Sequence, residues 1–133
     1  MFAASAGEPS LGVCVPTILL VEDEVLIRMA MADALRGADF NVVEAAHADE
    51  ALSILHAAVQ IDLVMTDVRM PGTMDGLGLA MHLRETKPGL RLVIVSGEWS
   101  STKARETADL FFSKPCNMTV VIEKISQLLE DRK

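Results

Sequence analysis

The sequence predicts a doubly wound α/β domain: a five-stranded parallel sheet of order 2-1-3-4-5 with helices on both faces. Two observations predict it. From Thr17 onward, short β-branched runs alternate with longer amphipathic stretches, joined by short loops; parallel neighbours require such crossovers, and crossovers are right-handed. Acidic side chains and one lysine also fall where those runs end, as the C-terminal ends of parallel strands would place them.

The first strand, 17 to 22, follows Pro16, which cannot donate to a ladder and suits a strand's start. The next stretch puts Ile27, Ala30, Met31, Ala34 and Leu35 at helical spacing, and Gly37 lies near the expected stop. Asn41-Val-Val-Glu-Ala45 reads as strand two, and a helix from about 48 to 58 buries Ala51, Leu52 and Leu55. Strand three spans 62 to 66. After Met70-Pro-Gly72 a helix from about Asp75 to Glu85 carries Leu77, Ala80, Met81 and Arg84 at spacings of three and four, until Pro88-Gly89 stops it. Strand four is 91 to 95, a short helix four lies near 101 to 107, strand five is 110 to 113, and a last helix from 117 to about 131 uses Val121, Ile125, Leu128 and Leu129.

With 133 residues, 50% of them hydrophobic and 23% charged, the chain suits one globular domain over 16–133. Residues 1–15, bearing Ala, Ser, Gly and Pro, read as a flexible N-terminal tail, with a partner-docking arm as the alternative. The formal charge of -7 argues against direct contact with nucleic acid or anionic membrane. Cys14 and Cys116 have no histidine at metal-ligand spacing, so a reduced, cytoplasmic protein is the simpler reading. Residues 1 to 15 lack both a basic start and an apolar stretch long enough for a secretory signal, and no later run approaches the ~20 apolar residues of a membrane span. His47, His56 and His82 are scattered over different elements, and the methionines fit core filling.

Glu22 and Asp23 close strand one, Asp67 closes strand three, Ser96 ends strand four, and Lys114 with Pro115 ends strand five. The strand order puts Asp23 and Asp67 at the topological switch point. A nucleotide site would carry glycines in the first strand-to-helix turn; here that turn reads Val21-Glu-Asp-Glu24, and Gly76-x-Gly78 lies inside a helix. Two carboxylates at ~4 Å repel by about 4 kcal/mol at an effective dielectric of 20, which a hard divalent ion offsets. Mg²⁺ fits, with Asp23 and Asp67 as direct ligands and Glu22 through water. The competing reading of Asp23 is a helix N-cap before Val25. With Mg²⁺ neutralising the non-bridging oxygens, Asp67 can attack phosphorus in line and become an aspartyl phosphate, while Lys114 and Ser96 hold phosphoryl oxygens. A cis Lys114-Pro115 bond would aim the ammonium into the site; otherwise Lys114 is a solvated surface group.

This constellation resembles the receiver (response-regulator) domain of two-component signalling over about residues 16 to 131. The resemblance rests on Ile18-Leu-Leu-Val-Glu-Asp-Glu24, Thr66-Asp-Val-Arg-Met-Pro-Gly72 with Met74-Asp-Gly76, Val95-Ser-Gly97, and Phe111-Phe-Ser-Lys-Pro115. It implies a flavodoxin-like fold with Asp67 as phosphoacceptor, Glu22 and Asp23 as the acidic pair, and the Arg69 carbonyl as third protein ligand of Mg²⁺. Ser96 would be the switch hydroxyl, Phe111 the switch aromatic and Lys114 the phosphate-binding lysine. The donor would be a histidine kinase or histidine phosphotransfer protein. Phosphorylation would shift the protein between two packings and alter a face built from helix four, strand five and helix five.

Several features depart from the family pattern. Thr73 adds a residue beside the acceptor loop, and only fourteen residues separate Ser96 from Phe111, so helix four looks short. Phe111 has no hydroxyl and is alternatively an ordinary core residue; Cys116 stands where an aromatic is common. Arg69 and Glu98 are expected to pair across the site and slow hydrolysis, the alternative being two solvated side chains. Trp99 is a candidate fluorescence reporter. The last helix ends near the C-terminus, so the expectation is a stand-alone receiver, monomer or weak dimer, acting on an unknown downstream protein target. A phosphorelay intermediate or phosphate sink is the alternative. A phosphatase of the haloacid-dehalogenase type would need an acid where Arg69 stands, and a degenerate binding module would not need the intact site.

Overall fold

The computed structural model describes residues 15–57, 59–69, 74–97 and 102–130. The expectations for the tail up to residue 14 with Cys14, for Met70-Pro-Gly72 and Thr73, for Glu98 and Trp99, and for the helix limits at 58, 101 and 131 lie outside the described residues. Ten elements follow in order: β1 (Thr17–Val21), α1 (Val25–Gly37), β2 (Asn41–Ala45), α2 (Ala48–His56), β3 (Leu63–Asp67), α3 (Gly76–Thr86), β4 (Arg91–Ser96), α4 (Thr102–Thr107), β5 (Leu110–Ser113) and α5 (Met118–Glu130). All strand pairs are parallel, and the sheet order is β2-β1-β3-β4-β5, as the pattern predicts.

The central strands β1, β3 and β4 are buried on both sides, so they are continuously apolar along most of their length rather than alternating. Successive residues still point to opposite faces. Leu19, Val21, Val64, Leu92 and Ile94 pack beneath α2, α3 and α4. Ile18, Leu20, Met65, Val93 and Val95 pack beneath α1 and α5. Each fully buried Leu, Ile or Val contributes about 1.5–3 kcal/mol.

Two helices depart in part from the faces expected, although Met31 and Leu35 on α1 and Ala80 on α3 are buried as expected. On α1, Met31, Ala32 and Leu35 are buried, whereas Ala30 is exposed beside an apolar hollow at the α5 end of β5. On α3 the buried set is Gly76, Leu79, Ala80 and Leu83, and Met81 is exposed. Gly76 sets that phase. Its N–H donates to the Val68 carbonyl at 2.8 Å, and a Cβ at this position would land on the Asp67 carbonyl oxygen. With Gly76 facing inward, positions 79, 80 and 83 must follow. Arg84 then runs along the flank, donating to the Thr107 carbonyl at 2.7 Å and pairing with Asp109 at 3.1 Å.

Boundaries shift where side chains take over backbone duties. Asp62, expected inside β3, lies before it and accepts from the Thr17 N–H at 2.8 Å. Asp75 caps α3 through the Gly78 N–H at 2.8 Å, and Asn117 caps α5 through the Thr119 N–H at 2.9 Å. His47 Nδ1 caps α2, accepting from Glu50 N–H at 3.3 Å, while the Glu50 carboxylate accepts from Ala46 N–H. Gly37 ends α1, but the left-handed residue of the turn is Asp39, at φ 74°.

Gly76→Ala should lower stability by about 3 kcal/mol, because the added methyl must displace backbone rather than a mobile side chain. Urea unfolding measures this; a loss under about 0.5 kcal/mol, the range of an ordinary surface substitution, would contradict the close contact.

Candidate functional site

Parallel pairing brings the ends of β1, β3, β4 and β5 to one edge of the sheet. Val21 is level with Thr66, Asp67 with Val95, and Ser96 with Ser113. The next residue along each strand therefore opens onto the same cleft, at the point where the strand order reverses between β1 and β3. The cleft holds about 310 Å³ and is lined by Asp23, Glu24, Ile27, Asp67, Arg69, Gly97 and Lys114.

Lys114 spans the site. Its ammonium donates to Asp67 Oδ2 at 2.8 Å and to Glu22 Oε1 at 2.9 Å. The Glu22 carboxylate is buried, 2% exposed, and its second oxygen accepts from the Glu24 N–H at 3.1 Å. Asp67 Oδ1 accepts from the Arg69 N–H at 3.3 Å. The Lys114–Pro115 peptide is cis, and the Lys114 N–H donates to the Ser96 carbonyl at 2.8 Å. Asp23 does not cap α1; that position belongs to Glu24, whose side chain makes no capping bond. Oxygens of Glu22, Asp23 and Asp67 all lie within 4.8 Å of one another.

Three carboxylates thus face one ammonium. Burial pushes the Glu22 carboxyl above its ordinary pKa, and the bonds from Lys114 and Glu24 offset this only in part. Burial alone would lower Lys114, but its bonds to Asp67 and Glu22 outweigh burial and raise it. With a single ammonium set against Glu22, Asp23 and Asp67, the cleft carries excess negative charge. Such a site is short of one hard cation, and oxygen donors in an open, polar cleft suit Mg²⁺. The donor set fits the ion.

Ser96 is buried at the end of β4, next to the cleft-lining Gly97. Phe111 is half-buried on the opposite side of the sheet from Phe112, with the Arg105 guanidinium 4.6 Å from its ring centroid. Cys116 is half-buried and packs against the core on the α1 and α5 side; burial raises its thiol pKa. The role given to the Arg69 carbonyl concerns a residue at the cleft's rim, whereas its expected partner Glu98 is outside the described residues.

Sequence reasoning missed Gly76 as the support of the Asp67 backbone. The Thr66 hydroxyl, which donates to the Asp67 carbonyl at 2.9 Å, was missed too. The only sequence signal was the position of Asp75-Gly76 soon after the acceptor strand. Arg28, discussed below, gave none.

Fold and site together define a phosphoryl-signalling module of the doubly wound class. The model for the response regulator receiver domain matches residues 18–126, and the chain belongs to that family. It is 38% identical to the sensor kinase CckA of Brucella abortus over 119 residues, 86% of this chain. It spans only 12% of that kinase, and 32% and 26% of two further curated relatives. Among solved structures, it is similar to a response regulator receiver protein from Sinorhizobium medicae, with TM-score 0.81 and 30% identity over 93% of this chain and 100% of the other. It is also similar to the response regulator TrrA of Thermotoga maritima, solved in complex with Mg²⁺-BeF, with TM-score 0.79 and 28% identity over 86% of this chain and 99% of the other. Receiver domains of two-component systems bind Mg²⁺ at an acidic pocket and accept phosphoryl groups from histidine kinases or phosphotransfer proteins. Among the described residues, no helix is long and apolar enough to cross a membrane.

Replacing Lys114 by Met should destabilise the metal-free protein by about 2–3 kcal/mol, somewhat below the ~3–5 for breaking a fully buried pair because Lys114 is 21% exposed. Adding Glu22→Gln should recover much of this in a double-mutant cycle measured by urea unfolding. The Lys114 contribution is fully present below the ordinary lysine pKa and fades as pH rises through the raised folded value. The alkaline fall in wild-type stability should therefore shrink in Lys114→Met; identical alkaline limbs would contradict the pairing.

Proposed function

We propose that this chain is a Mg²⁺-dependent phosphoacceptor switch, with its domain over 16–133 acting on a protein target. The observation that carries this reading is the ammonium of Lys114 joining Asp67 to Glu22 while Asp23 stands beside them in an open cleft. Asp23, Asp67 and the Arg69 carbonyl would hold Mg²⁺, with Glu22 acting through water; the ion supplies positive charge to the phosphoryl oxygens.

The chain's own groups do the rest. A carboxylate oxygen of Asp67 attacks the phosphorus of a donor phosphohistidine in line. The P–N bond breaks, its electron pair leaves with the imidazole nitrogen, which takes up a proton, and an acyl phosphate forms on Asp67. Lys114, already at hydrogen-bond distance from Asp67, transfers one of its bonds to a phosphoryl oxygen, and Ser96 supplies a hydroxyl to another. Water attack at phosphorus later releases phosphate and restores the carboxylate. Movement of Ser96 would free space for Phe111, whose ring leaves the Arg105 guanidinium and buries itself. The altered surface around α4, β5 and α5 then binds a target. Catalysis is confined to the protein's own phosphorylation and dephosphorylation, and the setting is cytoplasmic.

Delivery of the phosphoryl group fits a protein donor. The outer face of α1 exposes Val25, Leu26 and Met29, with Leu26 80% exposed. Beside it lies an apolar hollow of about 440 Å³ lined by Ala30, Met31, Pro115, Cys116 and Met118, and bounded by Ile27 and Lys114, which also line the acceptor cleft. A donor seated there brings its phosphohistidine to Asp67.

Incubation with Mg²⁺ and acetyl phosphate should give one phosphate adduct by intact mass, stable in acid, labile in base and abolished by Asp67→Asn. Absence of an adduct, or an adduct that survives Asp67→Asn, would rule the reading out. Leu26→Asp with Met29→Asp should leave labelling by acetyl phosphate intact but reduce labelling by a phosphorylated histidine donor protein; equal loss from both donors would contradict α1 docking.

A further inference from the structure

We propose that Arg28 is a positioning residue for the acidic pair: it fixes the peptide joining Glu22 to Asp23 and thereby tunes the affinity of the cleft for Mg²⁺. The inference rests on the metal reading above and goes beyond the groups that touch the ion. One Arg28 guanidinium nitrogen donates to the Glu22 carbonyl at 2.8 Å, and its Nε donates to Glu44 Oε1 at 3.3 Å. Glu44 is itself held from its other oxygen by Arg36 at 3.1 Å. The guanidinium is therefore oriented by a carboxylate on the neighbouring strand and is only 17% exposed.

The carbonyl it grips belongs to the peptide unit that links the two acids. The other tethers of this turn act elsewhere: the Glu22 N–H donates to the Ala45 carbonyl at 3.0 Å, and the Glu24 N–H donates to the Glu22 side chain. The Arg28 bond is made to the carbonyl of the peptide plane that aims Asp23 relative to Glu22. Without it, mutual repulsion among the three carboxylates favours a turn that splays Asp23 away. The placement of Arg28 supports a tertiary purpose. It lies near the start of α1, where the positive end of the helix dipole disfavours a cation. Groups one shell removed from a metal orient its ligands, and losing one weakens affinity about 10–100-fold.

The test is calorimetric titration of metal-free protein with magnesium chloride, paired with urea unfolding in EDTA and far-ultraviolet circular dichroism. Arg28→Met should keep its helical spectrum and bind Mg²⁺ about tenfold more weakly or worse. Arg28→Lys, which keeps a charge and a donor, should recover part of the affinity, and Glu44→Gln, which only loosens the guanidinium, should lose less than Arg28→Met. A merely structural arginine would lower the urea midpoint and leave Mg²⁺ affinity at the wild-type value; that result overturns the proposal. Asp23→Asn separates the two readings. If it binds Mg²⁺ as wild type does, the metal site itself is wrong and the proposal falls with it. If it loses binding while Arg28→Met and Glu44→Gln do not, only the positioning role is overturned. Should Arg28→Met fail to fold, Glu44→Gln decides alone.

Discussion

The ammonium of Lys114 holds together two carboxylates that would otherwise repel. Glu22 and Asp67 end adjacent parallel strands, and both reach the same Nζ within 2.9 Å. One positive charge faces three carboxylates; burial moves the Glu22 carboxyl upward, and the bonds to Asp67 and Glu22 move the Lys114 ammonium upward against its burial. The residual negative field makes the cleft receptive to a divalent cation. Asp67 and Lys114 are already in contact there.

The fold exists around this edge in a specific sense. A parallel sheet directs every strand's C-terminal end the same way, and the reversal of strand order between β1 and β3 opens a cleft at that edge. Apolar packing on the two faces provides the rigidity against which the charges are held. Backbone contacts refine it. Gly76 presses against the Asp67 carbonyl, the Thr66 hydroxyl donates to the same oxygen, and Arg28 grips the carbonyl of Glu22. Glu22 and Asp67 therefore have their main-chain carbonyls fixed by a group from outside their own strand or by a neighbouring hydroxyl.

The segment from α4 through Phe111 is built more lightly. The helix α4 has 6 residues and is attached through Ala104 in the core and through the Arg84 bond to the Thr107 carbonyl. Phe111 lies half-buried under Arg105 rather than locked into the core. A short helix and a partly exposed ring are the kind of elements whose packing can have two arrangements of similar energy.

Much was legible in the sequence because its signals are local. Alternation of apolar runs and helical periodicity located all ten elements, and acids and a lysine at strand ends marked one edge. The phase of α3 was not legible: Leu77, Ala80, Met81 and Arg84 have good helical spacing, yet the inward face is set by Gly76 against a backbone oxygen of β3. Nor could the partners of Lys114 be read as contacts, since they lie 92 and 47 positions away in the chain. By itself the sequence determined which residues form the sheet and which chemical groups reach its edge, because period and polarity act over a few neighbours. Only the tertiary structure decided how those groups are paired and which carbonyls hold them, because such contacts join distant segments whose distances exist only once the sheet has formed.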